Sequence, residues 1–511
     1  RSRRSSASSS NPKSVSSVSS EAAAPSGRPR SRLAWLVVGP AAYLTIVLLA
    51  PDSLARPAQH VLGLAVWMAI WWVSEPVPLA ATSLLPAGML PALGIVGARE
   101  AVAPYANELV FLYLGGFFLA AALERWHAHA RIAYGLISAI GFSSRRIVLG
   151  VMVATGFISM WISNTATAAM MYPIVIAMLP LFSGEGRDAH HTRTALLLGL
   201  AYAASIGGMG TLLGTPPNLI FAGAARELAG QDVSFLGFLG FGLPLVVILL
   251  PLCWAMLVYV LFPSRATLGA AASDVLLARR QALGPLRGGE FATLVVFVTT
   301  AIAWLVRERK EIGALSIPGI VDIAPRVTDT TIAVLGALAL FIIPSRDRNG
   351  TLRPLLTWEE ARTIPWDVLL LFGGGLSLAA AMEASGLARW LGEHLTVLGG
   401  LPTLALYLGL AVFVLLLSEL ASNTAVATMM MPIIATLAGA VGQPPLLLML
   451  IAALAASTGF ALPVATPPNT IVFGSGQVRV RDMARAGIIL DLIAVVLVVV
   501  VVAAVYPLLF G

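Results

Sequence analysis

Two short polar strings interrupt otherwise apolar sequence, Ser163-Asn164-Thr165 and Ser422-Asn423-Thr424. A second pair, Thr215-Pro216-Pro217-Asn218 and Thr466-Pro467-Pro468-Asn469, follows each of them. An asparagine amide offers oxygen to a cation and hydrogens to an anion, and Ser and Thr hydroxyls can do either. Consecutive prolines remove two backbone donors and push the preceding residue out of the α region, so each helix must break there. A broken helix exposes N–H groups with partial positive charge on one side and free carbonyls on the other. The first suits a carboxylate or another oxyanion, the second Na+. Neither the stretches around the Ser-Asn-Thr strings nor the Pro-Pro breaks contain Lys or Arg. An anion bound there is balanced by dipoles, hydroxyls and co-bound cations, which gives a physical reason for coupling the two solutes.

The elements that must position these groups are membrane helices. The chain has 511 residues, 58% of them AVILMFWYC and only 11% charged, with a mean hydropathy of +0.88. Soluble domains carry about 25% charged residues. The composition therefore excludes a soluble enzyme, a disordered scaffold and a secreted disulfide protein. About 20 apolar residues span a bilayer, and eleven candidate spans fall at 34–50, 59–73, 76–97, 109–124, 194–225, 236–262, 290–306, 328–344, 366–383, 444–475 and 486–509. The stretches 147–182 and 402–439 are interrupted midway by the Ser-Asn-Thr strings, so each is expected as a helical hairpin that enters and leaves on one side. Unwound backbone at membrane depth is tolerated only inside protein or along a wet cavity. The two hairpin tips are therefore expected to meet near the midplane.

The chain is an internal duplication. At an offset of 259, residues 109–124 match 368–383 at 8 of 16 positions, and 163–173 match 422–432 at 8 of 11. At an offset of 251, Thr215-Pro216-Pro217-Asn218 falls on Thr466-Pro467-Pro468-Asn469. Shared apolar composition explains matched Ala and Leu but not two polar strings in the same order. The expected layout is a disordered Ser/Arg-rich tail at 1–33, an extra first transmembrane helix at 34–58, one repeat at 59–262 (hairpin 147–182, broken helix 194–225), a cytoplasmic linker at 263–289, and a second repeat at 290–509 (hairpin 402–439, broken helix 444–475). Five crossings per repeat turn the second copy upside down. Helices broken at matching positions of two halves are the strongest sequence pointer to a transport site.

Charge gives an independent test of this topology. With the tail cytoplasmic, the inside loops carry 17 Lys/Arg and the outside loops 8, as the positive-inside rule requires. The N-terminus is then cytoplasmic and the C-terminus outside. The net charge of +7 and pI near 9.9 follow from topology, and no nucleic-acid partner is expected. The tail has no apolar core of the kind that makes a signal peptide. The single Cys253 lies in an apolar stretch and reads as packing.

Blander readings compete at each polar position. Ser and Thr in membrane helices often bond only their own i−4 carbonyl, which would account for one Ser-Asn-Thr string but not for two in register with two Pro-Pro breaks. Glu124, Glu383, Asp367 and Asp491 lie near segment ends and read as interfacial or ion-paired, whereas Glu419, four residues before Asn423, can tune the site. His127 and His129 read as part of an amphipathic interfacial segment rather than a metal site, because no carboxylate or Cys completes a ligand set. No Gly-rich nucleotide loop with Lys is present, so ATP is not expected as the energy source.

Together the doubled Ser-Asn-Thr and Thr-Pro-Pro-Asn strings, the run WWVSEPVPLAATSLLPAGMLPALGI (71–95) and LERWHAHARIA (123–133) resemble the divalent anion/sodium symporter family over residues 34–509. That family carries dicarboxylates and citrate. The resemblance implies an all-α polytopic membrane protein, a homodimer with a fixed scaffold and an elevator-type transport domain. By motif it implies a first Na+ site at Ser159, Ser163, Asn164 and Gly214, and a second at Ser418, Ala421, Asn423 and Ala465. Substrate carboxylates would touch Ser163, Asn164, Thr165, Ser422, Asn423, Thr424, Thr466 and Pro467. Position 418 is Ser where many relatives have Thr, which keeps the hydroxyl. The expected function is secondary transport of a C4 dicarboxylate such as succinate, malate or fumarate, with Na+ as coupling ion and no organic cofactor, in a bacterial inner membrane. Sodium-independent exchange, citrate or sulfate transport, and a channel or sensor remain the alternatives.

Overall fold

A computed structural model describes residues 29–141, 143–182, 187–263, 278–286, 288–312, 315–347 and 350–510. Residues 1–28 of the expected tail, and 264–277 and 287 of the expected linker, lie outside the described residues. The chain is mostly helical. The expectation of an all-α chain needs one amendment, because two small antiparallel strand pairs join Lys310–Ile312 to Leu315–Ile317 and Pro344–Arg346 to Leu352–Pro354. Both fall in loops between helices, where proline and charged residues halt the apolar run.

Among the described residues seven helices are long and apolar enough to cross a membrane: Ala98–Arg125, Phe235–Leu261, Gly288–Leu305, Trp366–Ala384, Thr403–Leu420, Asn423–Val441 and Val480–Phe510. Leu33–Leu49, Leu79–Ala92, Asn164–Met178, Asp329–Ile342 and Pro445–Ala455 are apolar but shorter. Helices such as these present large side chains outward, Leu48 and Leu49 at 78% exposure and Leu416 at 59%. A water-soluble surface rarely tolerates apolar area on this scale, so these faces belong in lipid and the chain is an integral membrane protein. Some of the apolar stretches hold points where the backbone turns. Prolines divide 76–97 into Leu79–Thr82 and Leu85–Ala92, and the stretch 444–475 into Pro445–Ala455 and Pro467–Phe473.

Two helix–turn–helix units carry the polar strings. The first pairs Ser144–Ser159 with Asn164–Met178, the second Thr403–Leu420 with Asn423–Val441. Small residues let the first unit lie close to the helix Arg187–Gly208: a Cβ on Gly207 would fall 2.6 Å from Gly156 Cα. The units are linked crosswise. Asn164–Met178 packs against Pro467–Phe473, and Asn423–Val441 packs against Pro216–Ala229. Each polar elbow therefore leads into a helix that rests on the broken helix of the other half.

Outside this core the loops are tied by ion pairs. Arg131 makes a two-pronged bond to Glu290, with Nε 2.6 Å from Oε1 and Nη2 2.9 Å from Oε2. Glu360 accepts from the Thr357 amide and is paired with Arg125 and Arg353. Burial acts to raise the Glu360 carboxyl, but the Thr357 amide and the two guanidinium groups outweigh it and hold it below the ordinary glutamate range.

Candidate cation and anion site at two helix elbows

At the first elbow the helix Ser144–Ser159 ends and Asn164 begins the next one. Ser163 is the N-cap, in extended conformation, and its Oγ accepts from Ala166 N at 3.4 Å. That leaves the amides of Asn164 and Thr165 at a helix start, where partial positive charge gathers. Ser159 Oγ lies 2.9 Å from Asn164 Oδ1 and 2.6 Å from Ala204 O. The hydroxyl has one proton and can serve only one of these two oxygens. The same terminal atom of the Asn164 amide also faces Ala204 O at 3.1 Å and Gly214 O at 3.2 Å. If it is nitrogen, it donates to these acceptors. If it is oxygen, Ser159 Oγ, Ala204 O, Gly214 O and Asn164 Oδ1 converge, and a cation reconciles them. The neighbours by themselves favour nitrogen; only in the second orientation is the donor set all neutral oxygen, as Na+ requires.

The second elbow has the same construction. Ser418 Oγ lies 2.7 Å from Asn423 Oδ1 and 2.5 Å from Ala456 O. Ser422 is again an N-cap, here without a side-chain cap bond, and Ala421 before it is extended. Each elbow faces an unwound segment, from Gly208 to Pro216 in the first half and from Ala455 to Pro467 in the second. Both later helices begin with the Pro-Pro pair, whose missing donors cost nothing at that position. Thr466 caps its helix by accepting from Asn469 N at 3.4 Å, whereas Thr215 makes no side-chain cap bond.

The unwound segments are braced differently. In the first, Thr211 Oγ1 donates to Met160 O, and Tyr113 donates to Leu212 O or Thr215 O. In the second, the Glu419 carboxylate accepts from Ala461 N at 2.8 Å and Leu462 N at 3.0 Å, and Asp491 Oδ1 accepts from Phe460 N at 3.0 Å. Glu419 and Asp491 are both buried and, among the described residues, in no ion pair. Asp491, read from sequence as interfacial, thus binds the broken helix instead. An apolar run on both sides hides that role from sequence.

The comparisons with known proteins decide the family. A family model described as the sodium:sulfate symporter transmembrane region matches residues 31–511. The chain is 40% identical over 493 residues to the sodium-dependent dicarboxylate transporter SdcS of Staphylococcus saprophyticus, covering 94% of this chain and 92% of that one. The chain belongs to the divalent anion/sodium symporter family. The SdcS protein of Staphylococcus aureus is similar at 40% identity over 494 residues. Among solved structures, the YdaH transporter of Alcanivorax borkumensis matches in fold, with a TM-score of 0.56 at 15% identity over 88% of this chain and 98% of that one.

The residues that the symporter resemblance singles out fall into an inner and an outer set. Ser159, Gly214, Ser418, Ala465 and Thr466 are buried. Ser163, Asn164, Ala421, Ser422, Asn423 and Thr424 are half-buried, and Thr165 and Pro467 are exposed. Ser159, Asn164 and Gly214 come together directly, as do Ser418 and Asn423. The hydroxyl of Ser163 accepts its own helix-cap bond, which leaves its O–H able to donate. Among the described residues no hydrogen bond joins the first elbow to the second, and the link between them is the crosswise helix packing. Sequence reasoning assigned nothing to Asn218 and Asn469, although both close the doubled Thr-Pro-Pro-Asn motif. Both prove to be fully buried beside the unwound segments.

Proposed function

We propose that this chain is a secondary transporter that carries a C4 dicarboxylate, such as succinate, malate or fumarate, together with Na+ across a bacterial plasma membrane. The observation that supports this most is the recurrence of one polar cluster, serine hydroxyl with asparagine amide and a backbone carbonyl, at both elbows. The 40% identical relatives named as sodium-dependent dicarboxylate transporters support the choice of solutes.

In this reading Ser159, Ser163, Asn164 and Gly214 take one Na+, and Ser418, Ala421, Asn423 and Ala465 take another. The carboxylates of the substrate accept from the helix starts at Asn164 and Asn423 and from the hydroxyls of Ser163, Thr165, Ser422, Thr424 and Thr466, beside Pro467. No basic side chain stands among these residues, so co-bound Na+ supplies the opposing charge and substrate affinity depends on it. The two halves are inverted repeats, and the elbows ride on one transport domain that moves elevator-fashion against a scaffold within a homodimer. The N-terminus is cytoplasmic and the C-terminus outside.

The family description names sulfate, which makes an inorganic oxyanion the second candidate. Labelled succinate uptake into proteoliposomes separates the readings. Accumulation that needs an inward Na+ gradient and is competed by malate and fumarate is the expected result. Uptake driven only by internal dicarboxylate would mean exchange, competition by sulfate or citrate alone would move the substrate, and gradient-independent equilibration would mean a channel.

A further inference from the structure

Each unwound segment has lost the ladder that normally satisfies helix carbonyls. In the first half Asn218 serves two of them: its Nδ2 donates to Gly208 O at 3.0 Å and to Thr211 O at 2.7 Å. In the second half Asn469 Nδ2 stands 3.4 Å from Phe460 O and 3.0 Å from Leu462 O. Both side chains are completely buried. Their orientation is unambiguous, because turning either amide over would set its oxygen against two carbonyl oxygens. The leftover Oδ1 has no partner among the described residues in either half.

The carbonyls that these amides hold adjoin the elbows. A Cβ on Gly208 would fall 2.9 Å from Asn164 Cγ, and one on Gly214 would fall 2.8 Å from Gly208 Cα. Gly208, Gly214 and the Asn164 amide thus form one packed cluster, which the Asn218 side chain fixes from behind. In the second half a Cβ on Gly459, the residue before Phe460, would touch Ala465 Cβ at 3.4 Å and Ser418 O at 3.6 Å.

We propose that Asn218 and Asn469 are positioning residues for Na+, each fixing the unwound segment whose carbonyl, at Gly214 or Ala465, meets the ion. This rests on the Na+ sites assigned above. Neither asparagine touches the ion or the substrate. Each sets the carbonyl geometry, so its loss weakens Na+ binding first and succinate binding only through Na+.

The test uses the full-length protein purified in detergent and in proteoliposomes. The isosteric Asn218→Asp and Asn469→Asp remove both donors with little change of volume, and Asn218→Ala and Asn469→Ala accompany them. Two readouts are taken: the Na+ concentration giving half of the Na+-induced rise in melting temperature without substrate, and that giving half-maximal succinate uptake. Each variant is expected to raise both about tenfold, a change of about 1.4 kcal/mol, while KM for succinate at saturating Na+ stays within about twofold. Wild-type Na+ dependence in the Asp variants, or a loss of succinate affinity that saturating Na+ does not restore, would overturn the assignment. So would failure of all four variants to fold, which would make the amides a requirement of the fold instead. If the wild-type protein itself shows no response to Na+, the Na+ sites fail before this inference is reached.

Discussion

Gly208→Ala is the sharpest perturbation the first elbow allows. The added methyl would lie 2.9 Å from both Cγ and Nδ2 of Asn164, and closer still to Oδ1. Ordinary carbon contacts begin near 3.4 Å, so the amide must retreat by at least half an ångström. It has little room to do so, since Ser159 Oγ, Ala204 O and Gly214 O stand within 3.2 Å of its terminal atom. Overfilling a packed site costs about 1–3 kcal/mol, and a displacement of about 1 Å at a binding group can cost about 10²-fold. Both routes give the same scale, a rise of roughly 10- to 100-fold in half-saturating Na+. The assay is Na+-dependent succinate uptake in proteoliposomes, with the Na+-induced shift in melting temperature as a substrate-free check. Gly409→Ala is the control: that glycine lies within the helix Thr403–Leu420 and nothing lies within 4 Å of the position its Cβ would take. It should leave transport unchanged and stabilise by up to about 1 kcal/mol. If Gly208→Ala retains wild-type Na+ dependence, the packed cluster around Asn164 is not the ion site.

Four further outcomes are expected. Asn164→Ala and Asn423→Ala should each abolish uptake while the protein still elutes as a folded, monodisperse species in size-exclusion chromatography, and full transport by either would remove that elbow from the site. Ser159→Ala and Ser418→Ala each strip a hydroxyl from a polar cluster, which at about 1–3 kcal/mol for a buried group left unsatisfied should raise half-saturating Na+ by about 5- to 150-fold. Ser418→Thr, which keeps the hydroxyl, should retain coupling, and a dead threonine variant would mean that the hydroxyl is not what matters there. Glu360→Gln should lower the melting temperature at pH 7. Because the Glu360 carboxyl is held below its ordinary range in the fold, its contribution is present above the unfolded-state value and is lost as pH falls through the lowered one. The gap between wild type and variant should therefore close on acidification, and a gap independent of pH would contradict the role given to the ion pairs.

The helix starts and elbows of the candidate site were legible in the sequence because their determinants are local. Pro216-Pro217 and Pro467-Pro468 dictate helix starts wherever they occur, and Ser163 and Ser422 are strong N-cap residues. The duplication placed both sets in register without any tertiary knowledge. What could not be read depends on contacts over long sequence distances. The hold of Glu419 on Ala461 and Leu462, and of Asp491 on Phe460, spans 31 to 43 residues and leaves no periodic trace. The roles of Asn218 and Asn469 were hidden for a subtler reason. Their motif was visible, but a buried asparagine and a ligating one look alike until the carbonyls they meet are known.

Twin architecture need not mean twin behaviour. One bend is laced by a threonine hydroxyl, the other by a buried acid that holds two amides directly beneath the loop. Under the Na+ assignment proposed above, a cation at one bend would have neighbours unlike those at the other, so the two stations should differ in affinity.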